Sequence, residues 1–347
     1  MAGTTAPKPP ATNRVGLQKK DYAGSKSTLC IGCGHDLITG RVIDACYDLS
    51  IKPEELVKLS GIGCSSKTPA YFISRSFSFN SVHGRMPSIA TGTALANRTL
   101  KMIGVSGDGD TANIGMGQFA HIMRRNLDLV YIVENNGVYG LTKGQFSATA
   151  DKGSKLKHGA VNPFHAIDLC ALAVQLGCGF VARLFAGNTK MMRQVMQAAM
   201  AYEGLALLDI ISPCVTFNNH AGSTKSFPYA KDNEMALQDI GFVPAYDPQY
   251  EEMDHGDERE ITLGDGSHIT IKALDKEYDP TSRTAALNLL AEYHESGKIP
   301  TGIIYINESE PRFVDQLNMC DTPLSRLKQE DVRPGKEVLD EVMNSLS

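Results

Sequence analysis

The sequence predicts an α/β fold, in which a mostly parallel β-sheet is flanked by helices and followed by a C-terminal α+β extension. Short apolar runs typical of buried strands alternate with amphipathic segments typical of helices. Several of these runs end at glycine and polar residues, as strands do where they enter loops. Beyond Phe227 the sequence becomes more polar and acidic. We therefore expect an N-terminal arm over residues 1–24, a core domain over 25–227 and an extension over 228–347.

The stretch from residue 101 to residue 145 organises the predicted core domain. An apolar run over 102–106 precedes a helical pattern over 113–125, and a second apolar run covers 127–133. This order predicts a strand, a helix and a strand, so the loops after both strands lie at the same edge of the sheet. Parallel sheets bind ligands at that edge.

The remaining chain continues the alternation of helices and strands. In the core domain we expect helices over residues 36–49, 87–100, 165–176 and 188–201, and strands beginning at residues 56, 180 and 205. In the extension we expect a hairpin turn at 264–266, a helix over 282–296, a strand over 301–307 and a short helix over 335–345. The methionine-rich run 191–200 is expected to pack as a helix face.

Composition excludes several classes of function. With 347 residues, of which 42% are hydrophobic and 21% charged, the chain can bury a sizeable core. Its net charge of −5 gives no broad electrostatic reason to bind nucleic acid or an anionic membrane. The sequence has no 18-residue apolar run and no signal-peptide core at its start, so we expect a cytoplasmic protein. The polar N-terminal arm is expected to be extended and to lie on a neighbouring subunit.

The loops at the predicted sheet edge carry the residue types of a magnesium site. Asp108 stands between Gly107 and Gly109, which let the backbone approach an anion closely, and Asn136 offers an amide oxygen after the next strand. Mg²⁺ takes one or two protein oxygens and completes its shell with waters and substrate phosphates. The alternative is a simple turn, which is the better interpretation of the Gly-Asp-Gly at 264–266, since alternating residues flank it and no Asn-Asn follows.

The eight cysteines fall into two groups. Without an export signal they do not indicate a disulfide framework. Four lie in loops or at strand ends, where their sulfurs can be aimed at one point: Cys30, Cys33, Cys64 and Cys214. The pair at 30 and 33 alone is compatible with zinc, an iron–sulfur cluster or a redox dithiol. The other four are expected to behave as buried small hydrophobic residues: Cys46, Cys170, Cys178 and Cys320.

Together these motifs resemble a known family. Gly-Asp-Gly followed by Asn135-Asn136 is similar to the motif by which thiamine diphosphate (TPP) enzymes bind Mg²⁺ and the cofactor. The segments CIGCGH, GIGCSSK, HGRMPSIATGTALA and SPCVTFN occur around it in the order typical of 2-oxoacid:ferredoxin oxidoreductase β subunits. The resemblance covers about residues 28–227 and implies a TPP-binding fold.

The resemblance also implies site residues. The four loop cysteines correspond to ligands of one [4Fe-4S] cluster, with a structural zinc site as the alternative. The Mg²⁺ ligands would be Asp108, Asn136 and the backbone carbonyl of Val138. The residues implied to bind the cofactor are Gly34, His35, Gly63, Gly107, Asp108, Gly109, Asp110, Asn136 and Val138.

Three further residues are candidates for contact with the substrate. By resemblance Lys67 would pair with the carboxylate of a 2-oxoacid and Leu141 would face the substrate. His83 can donate a hydrogen bond to substrate or cofactor. The alternative for Lys67 is a solvated surface lysine, and the alternative for His83 is a histidine with a purely structural role. The polar stretch 149–158 is expected to be an exposed loop that covers the site or contacts a partner.

The implied activity is the oxidative decarboxylation of a 2-oxoacid, with the acyl group passing to coenzyme A and electrons passing through the cluster to ferredoxin. The substrate favoured by resemblance is 2-oxoglutarate, with pyruvate or a branched 2-oxoacid as alternatives. The glutamate that activates TPP in this family lies on an α subunit. We therefore expect half an active site, completed in an αβ or α₂β₂ assembly. Two other classes stay open: a non-oxidative TPP enzyme and a zinc-stabilised binding protein.

Overall fold

A central sheet of eight strands forms the body of the protein. The structure, a computed structural model, describes residues 12–246, 258–273 and 278–346. The strands are β1 Leu56–Ser60, β2 Phe77–Asn80, β3 Lys101–Gly107, β4 Leu129–Asn135, β5 Val138–Tyr139, β6 Gln145–Phe146, β7 Phe180–Phe185, β8 Leu205–Ile211, β9 Glu234–Ala236, β10 Gln238–Val243, β11 Glu258–Thr262, β12 His268–Ala273 and β13 Ile299–Ile306. The helices are α1 Gly34–Asp48, α2 Met86–Ala96, α3 Met116–Met123, α4 Leu169–Gln175, α5 Thr189–Ala201, α6 Phe227–Asn233, α7 Arg283–Ser296, α8 Phe313–Gln316, α9 Gln329–Val332 and α10 Lys336–Ser345.

The sheet is mostly parallel, as the sequence predicts. Its strand order is β2-β1-β3-β4-β8-β7-β13-β9, and β2, β1, β3, β4, β8 and β7 are all parallel to their neighbours in that series. Every residue of β4 and β8 is buried, which is typical of strands covered by helices on both faces. Strand β13 pairs with β7 in the antiparallel direction. The sheet edge with the carboxyl ends of β3, β4, β7 and β8 is therefore a single surface.

Helix α5 shows how the helices cover the sheet. Asn188 caps its first turn, since its side chain accepts a hydrogen bond from the backbone N–H of Met191. The helix buries all four of its methionines in the core, whereas Arg193 and Gln197 on its other face bond to Asp48. The prediction that this methionine-rich run is a packed helix face is confirmed.

The C-terminal part contributes to the main sheet and adds a small one. Strands β10, β12 and β11 form an antiparallel sheet, and the turn between β11 and β12 contains Gly264, Asp265 and Gly266. Gly266 has φ +81°, which glycine adopts without strain. The predicted hairpin is therefore confirmed. Strand β13 belongs to the main sheet, so part of the predicted extension completes the core architecture; the boundary at residue 227 stays a prediction.

The described part of the N-terminal arm differs from the prediction. Tyr22 is fully buried, and its hydroxyl donates to the backbone carbonyl of Ile51 at 2.7 Å. Ala23 forms an isolated antiparallel bridge with Phe72. The expectation of an extended arm on a neighbouring subunit is wrong for residues 12–24, because the aromatic ring of Tyr22 anchors this segment in the chain's own core. Residues 1–11 lie outside the described residues.

Other local expectations need smaller corrections. The predicted helix over 113–125 begins with a π-helical turn at Asp110–Ile114 and continues as α3, and the helix predicted over 165–176 is shorter because Asp168 caps it. Cys46, Cys170 and Cys178 are buried as expected, whereas Cys320 is exposed. That error arose because Cys320 lies after α8 in a polar and mostly exposed segment. The acidic run 246–260 falls mostly outside the described residues.

Among the helices in residues 12–246, 258–273 and 278–346, none combines the length and apolar character that crossing a bilayer requires.

Candidate active site

Asp108 and Asn136 meet at the carboxyl edge of the sheet. Strands β3 and β4 are parallel, with Gly107 opposite Glu134, so the loops that follow them start side by side. The backbone N–H groups of Asn136 and Gly137 point to the Asp108 carboxylate, at 3.4 Å and 3.1 Å. Two residues that stand 28 positions apart in the sequence are thus in direct contact in the structure.

The Asp108 side chain is held in one orientation. It is 1% exposed, and its Oδ2 accepts hydrogen bonds from the hydroxyl of Ser147, the hydroxyl of Thr149 at 2.7 Å and the N–H of Gly137. Among the described residues, the hydrogen bond found for its Oδ1 is the long one from the N–H of Asn136. Burial raises the pKa of Asp108, and the hydrogen bonds of Ser147 and Thr149 oppose that rise. One carboxylate oxygen is therefore saturated, and the other has lone pairs available for a cation.

The loop after β4 offers two further oxygens. Asn136 is 5% exposed, and its Oδ1 accepts a hydrogen bond from the N–H of Val138 at 3.0 Å. The side-chain amide of Asn218 donates to the Asn136 backbone carbonyl at 2.8 Å and so fixes this loop. Gly137, between Asn136 and Val138, has φ +73°, which the tight turn requires. Carboxylate, amide and carbonyl oxygens are a donor set that fits Mg²⁺.

Asp110 holds together three segments around the same cavity. Its carboxylate accepts from His83 Nδ1 at 2.7 Å, from the N–H of Gly84 at 3.0 Å, from the N–H of Ile62 at 3.2 Å and from the hydroxyl of Ser106 at 3.0 Å. These bonds place the half-exposed ring of His83 at the cavity. Asp110 lines the cavity, and its four bonds show that it also fixes the loops.

The cavity itself has a volume of about 70 Å³. Eleven predicted site residues line it: His35, Gly63, Cys64, His83, Gly107, Asp108, Gly109, Asp110, Asn136, Val138 and Leu141. Gly34 and Lys67 are not among the lining residues. Gly34 packs against the chain instead, since a Cβ there would lie 2.6 Å from the hydroxyl of Ser212. Lys67 lies in the turn that follows Cys64, where its N–H donates to the Cys64 carbonyl.

Two buried titratable groups face each other at the back of the cavity. His35 Nδ1 lies 2.6 Å from the hydroxyl of Ser212 and 3.5 Å from Glu134 Oε2. Burial lowers the pKa of His35 to about 4, so its ring is neutral at pH 7, and burial raises the pKa of Glu134 well above its usual value. The sequence did not indicate a role for Glu134, which lies in an apolar run next to the Asn-Asn pair.

The four loop cysteines gather beside this cavity. The N–H of Gly34 donates to the carbonyl of Pro213, which packs the Cys30–Cys33 turn against the loop of Cys214. A Cβ placed on Gly140 would lie 3.3 Å from the sulfur of Cys64 and 4.0 Å from that of Cys214. Burial raises the pKa of the Cys33 thiol to about 12 and also raises that of Cys64, with the sulfur of Cys214 adding to both shifts.

Within the described part of the chain, no three His, Cys, Asp or Glu side chains converge closely enough to hold one metal ion. In a tetrahedral zinc site, with Zn–S bonds of about 2.3 Å, sulfurs lie about 3.8 Å apart. A four-iron cluster is larger than one ion and accepts thiolates that are farther apart.

Ser147, Thr149 and Asn218 bond directly to Asp108 or Asn136, and sequence reasoning missed them. Thr149 is 1% exposed, and Ala150 and Ser154 are also buried, so the expectation that 149–158 is an exposed loop holds only for part of the segment. The segment 145–149 folds back as β6 beside β5, which brings its hydroxyls to Asp108. The sequence signal for these residues was the alternation of hydroxyl side chains, Ser147 and Thr149, after the glycine loop. The sequence does not show that both hydroxyls bond to Asp108.

Comparison with known proteins identifies the family. A model of the thiamine pyrophosphate enzyme C-terminal TPP-binding domain matches residues 61–210, and a model of the C-terminal part of the pyruvate ferredoxin oxidoreductase β chain matches residues 269–322. The chain is 34% identical over 292 residues to the β subunit of 2-oxoacid:ferredoxin oxidoreductase 1 of Aeropyrum pernix, an alignment that covers 84% of this chain and 81% of the relative. The chain belongs to the 2-oxoacid:ferredoxin oxidoreductase β-subunit family.

Two further relatives support the predicted fold and class of enzyme. The 2-oxoglutarate oxidoreductase subunit KorB of Mycobacterium tuberculosis is 36% identical over 202 residues, which are 58% of this chain and 54% of the relative. A structure of the 2-oxoglutarate:ferredoxin oxidoreductase from Magnetococcus marinus, with 2-oxoglutarate, coenzyme A and succinyl-CoA bound, aligns with a TM-score of 0.72 at 26% identity. That alignment covers 94% of this chain and 96% of the other. The predictions of a TPP-enzyme-like fold and of an oxidoreductase are confirmed, and the family match extends beyond residue 227.

Proposed function

We propose that this β subunit supplies the magnesium-diphosphate end of a TPP site and one [4Fe-4S] cluster to a 2-oxoglutarate:ferredoxin oxidoreductase. The observation that carries this proposal is that Asp108 and Cys64 line the same cavity. A cofactor held by Asp108 would therefore lie next to a cluster held by Cys64. That neighbourhood suits a reaction in which electrons leave the cofactor one at a time.

The chain's own residues would hold the metal end of TPP. Asp108 Oδ1, Asn136 Oδ1 and the Val138 carbonyl are the oxygens available to Mg²⁺, and the turn of Gly107 and Gly109 lets the diphosphate approach the backbone. When bound, TPP supplies a carbanion that attacks the ketone of a 2-oxoacid and then stores the electrons left by loss of CO₂. The neutral ring of His35 and the ring of His83 are placed to bind groups within the cavity.

The cluster would be held by Cys30, Cys33, Cys64 and Cys214. The thiols of Cys33 and Cys64 have raised pKa values and stay protonated when they are free, so iron must displace their protons when it binds. The hydroxyl of Thr216 donates to the sulfur of Cys30 at 3.2 Å. Hydrogen bonds and burial of this kind set the potential of an iron–sulfur cluster.

The size of the cavity supports an active site shared with an α subunit. At about 70 Å³ it is well below the roughly 300–1,000 Å³ typical of pockets that enclose a small-molecule ligand. Leu141 at its mouth is 57% exposed and is free to contact substrate or a partner surface. We infer that an α subunit encloses the cavity, supplies the group that activates TPP and helps to bind 2-oxoglutarate and coenzyme A. Ferredoxin is the proposed electron acceptor.

The test begins with anaerobic co-purification of the chain with its α partner. We expect a brown complex that reduces ferredoxin or a viologen dye with 2-oxoglutarate and coenzyme A, and more slowly with pyruvate. A faster reaction with pyruvate would refute the substrate assignment. Zinc in place of iron would refute the cluster.

Two variants separate the two metal centres. In Asp108→Asn we expect loss of TPP and Mg²⁺ with the iron content retained, because only the oxygen site is changed. In Cys214→Ser we expect loss or damage of the cluster with TPP binding retained. If Asp108→Asn binds TPP as well as the wild type, Asp108 is not a ligand of the cofactor's metal.

A further inference from the structure

We propose that Arg183 is a positioning residue for the magnesium ligand Asp108 and acts through three buried polar side chains. We call the four residues the relay: Arg183, Asp209, Asn135 and Thr149. The inference rests on the proposed function, since it requires that Asp108 bind Mg²⁺. Of the four residues, only Asn135 belongs to a motif of the sequence, and that motif assigns no role to its side chain.

The relay is a continuous series of polar contacts within hydrogen-bond distance. Arg183 Nε donates to Asp209 Oδ2 at 3.1 Å, and Asn135 Nδ2 donates to Asp209 Oδ1 at 2.8 Å. The Thr149 hydroxyl lies 3.0 Å from Asn135 Oδ1 and 2.7 Å from Asp108 Oδ2. The side chains of Asp209, Asn135 and Thr149 are at most 3% exposed. In such an interior, successive hydrogen bonds polarise and strengthen one another.

The order of donors and acceptors gives the relay a direction. As a carboxylate, Asp209 only accepts hydrogen bonds, so the NH₂ group of Asn135 must face it. The carbonyl oxygen of Asn135 then faces Thr149. The hydroxyl of Thr149 has one proton, which it shares in a three-centre bond between two acceptor oxygens, Asn135 Oδ1 and Asp108 Oδ2. Its bond to Oδ2 keeps Oδ1 turned toward the proposed cation.

Arg183 anchors the far end of the relay. It lies on β7 directly opposite Asp209 on β8, and its second guanidinium nitrogen donates to Asp168 at 2.6 Å. Asp168 in turn caps α4 by accepting from the N–H of Ala171. The planar guanidinium thus bonds two carboxylates at once, which a lysine cannot reproduce in the same geometry.

Packing alone does not hold the relay in place. Its four side chains also line a second cavity, of about 440 Å³, which Asp108 itself does not line. Because one side of the series borders open space, its geometry depends on the hydrogen bonds themselves. Removal of Arg183 leaves Asp209 free to turn toward that cavity, and the amide of Asn135 is then free to flip.

The test measures metal binding by the assembled complex, with Mn²⁺ in place of Mg²⁺ and with TPP present. In Arg183→Met we expect Mn²⁺ affinity, followed by electron paramagnetic resonance, to fall by about 10- to 100-fold, the range typical for loss of a partner that orients a metal ligand. The matched control is Arg98→Met, which removes a part-buried arginine that pairs with Asp315 on α8. It should bind Mn²⁺ as the wild type does, and both variants should keep their iron.

A double-mutant cycle distinguishes positioning from a general structural effect. If Arg183 acts through the hydroxyl of Thr149, adding Arg183→Met to Thr149→Val should cost little more affinity than Thr149→Val alone. Additive losses would overturn the relay. Should Arg183→Met fail to fold, Asp209→Asn tests the same link, since an amide no longer dictates the orientation of Asn135; wild-type affinity in that variant would also overturn it.

The outcomes also separate this inference from the function on which it rests. A wild-type complex that binds no Mn²⁺ with TPP overturns the proposed function and the relay with it. A wild type that binds, together with an Arg183→Met variant of equal affinity, overturns the relay alone.

Discussion

Gly109→Ala offers a sharp test of the cofactor site, because the structure shows what the added methyl group would meet. A Cβ on Gly109 would lie 2.4 Å and 2.6 Å from two ring carbons of Tyr139, whose hydroxyl donates to the Gly109 carbonyl at 3.1 Å. The backbone of Gly109 has φ −67°, which alanine adopts freely, so the effect is steric. Either the ring or the loop of Asp108 must move by about 1 Å to restore ordinary contact distances.

The expected magnitude follows from the cost of overpacking. Extra methyl groups in well-packed sites cost about 1–3 kcal/mol. If that strain falls on the binding-competent arrangement of the loops, the affinity for TPP and Mg²⁺ drops by about 5- to 150-fold. Calorimetric titration of the assembled complex with TPP at saturating Mg²⁺ measures this change directly.

A control and a rescue accompany this measurement. Gly117 in α3 has open space where a Cβ would be, so Gly117→Ala should leave TPP affinity unchanged and raise the free energy of unfolding by about 0.5–1 kcal/mol. Adding Tyr139→Ala to Gly109→Ala removes the clash and should recover part of the lost affinity. Wild-type affinity in Gly109→Ala, or no recovery in the double variant, would show that contact between these two residues does not shape the site.

Three further predictions concern the core and the cysteines. Burial lowers the pKa of Lys58 from 10.5 to about 8. Between these pH values the unfolded chain binds more protons than the folded chain, so the Lys58 contribution to the free energy of unfolding increases as pH rises. Lys58→Met should lack that contribution in thermal unfolding from pH 8 to 10; the same pH dependence as wild type would contradict it. Tyr22→Phe should lose about 1–2 kcal/mol, because it removes the hydrogen bonds of the hydroxyl to the Ile51 carbonyl and from the Asn13 side chain, and should make the N-terminal segment easier to cleave by limited proteolysis. An unchanged cleavage rate would mean that these bonds do not anchor the segment. Alkylation of the native protein, followed by mass spectrometry, should modify Cys320 and spare the buried Cys46, Cys170 and Cys178. Modification of any of these three would disprove their burial.

The sequence alone was sufficient for the features that depend on local pattern. Apolar runs that end at Gly107 and Asn135 predicted two parallel strands with their loops at one edge, and the parallel pairing of β3 and β4 confirms that arrangement. Periodicity predicted the buried methionine face of α5, and turn chemistry predicted the hairpin at Gly264. Each of these depends on neighbours within about 15 residues, whose spacing can be read directly along the chain.

Tertiary structure decided which polar side chains meet. Thr149 looked like part of an exposed loop, yet it reaches Asp108 because the chain folds back after Gly144. Tyr22 looked like part of a free arm, yet the hydrophobic effect draws its ring into the core. Arg183 and Asp209 lie on strands whose side chains alternate between faces, and only the sheet order places β8 beside β4 and so joins this pair to the cofactor site. Hydrogen bonds between distant residues depend on that order, and the order follows from how all the apolar surfaces pack together rather than from any one segment.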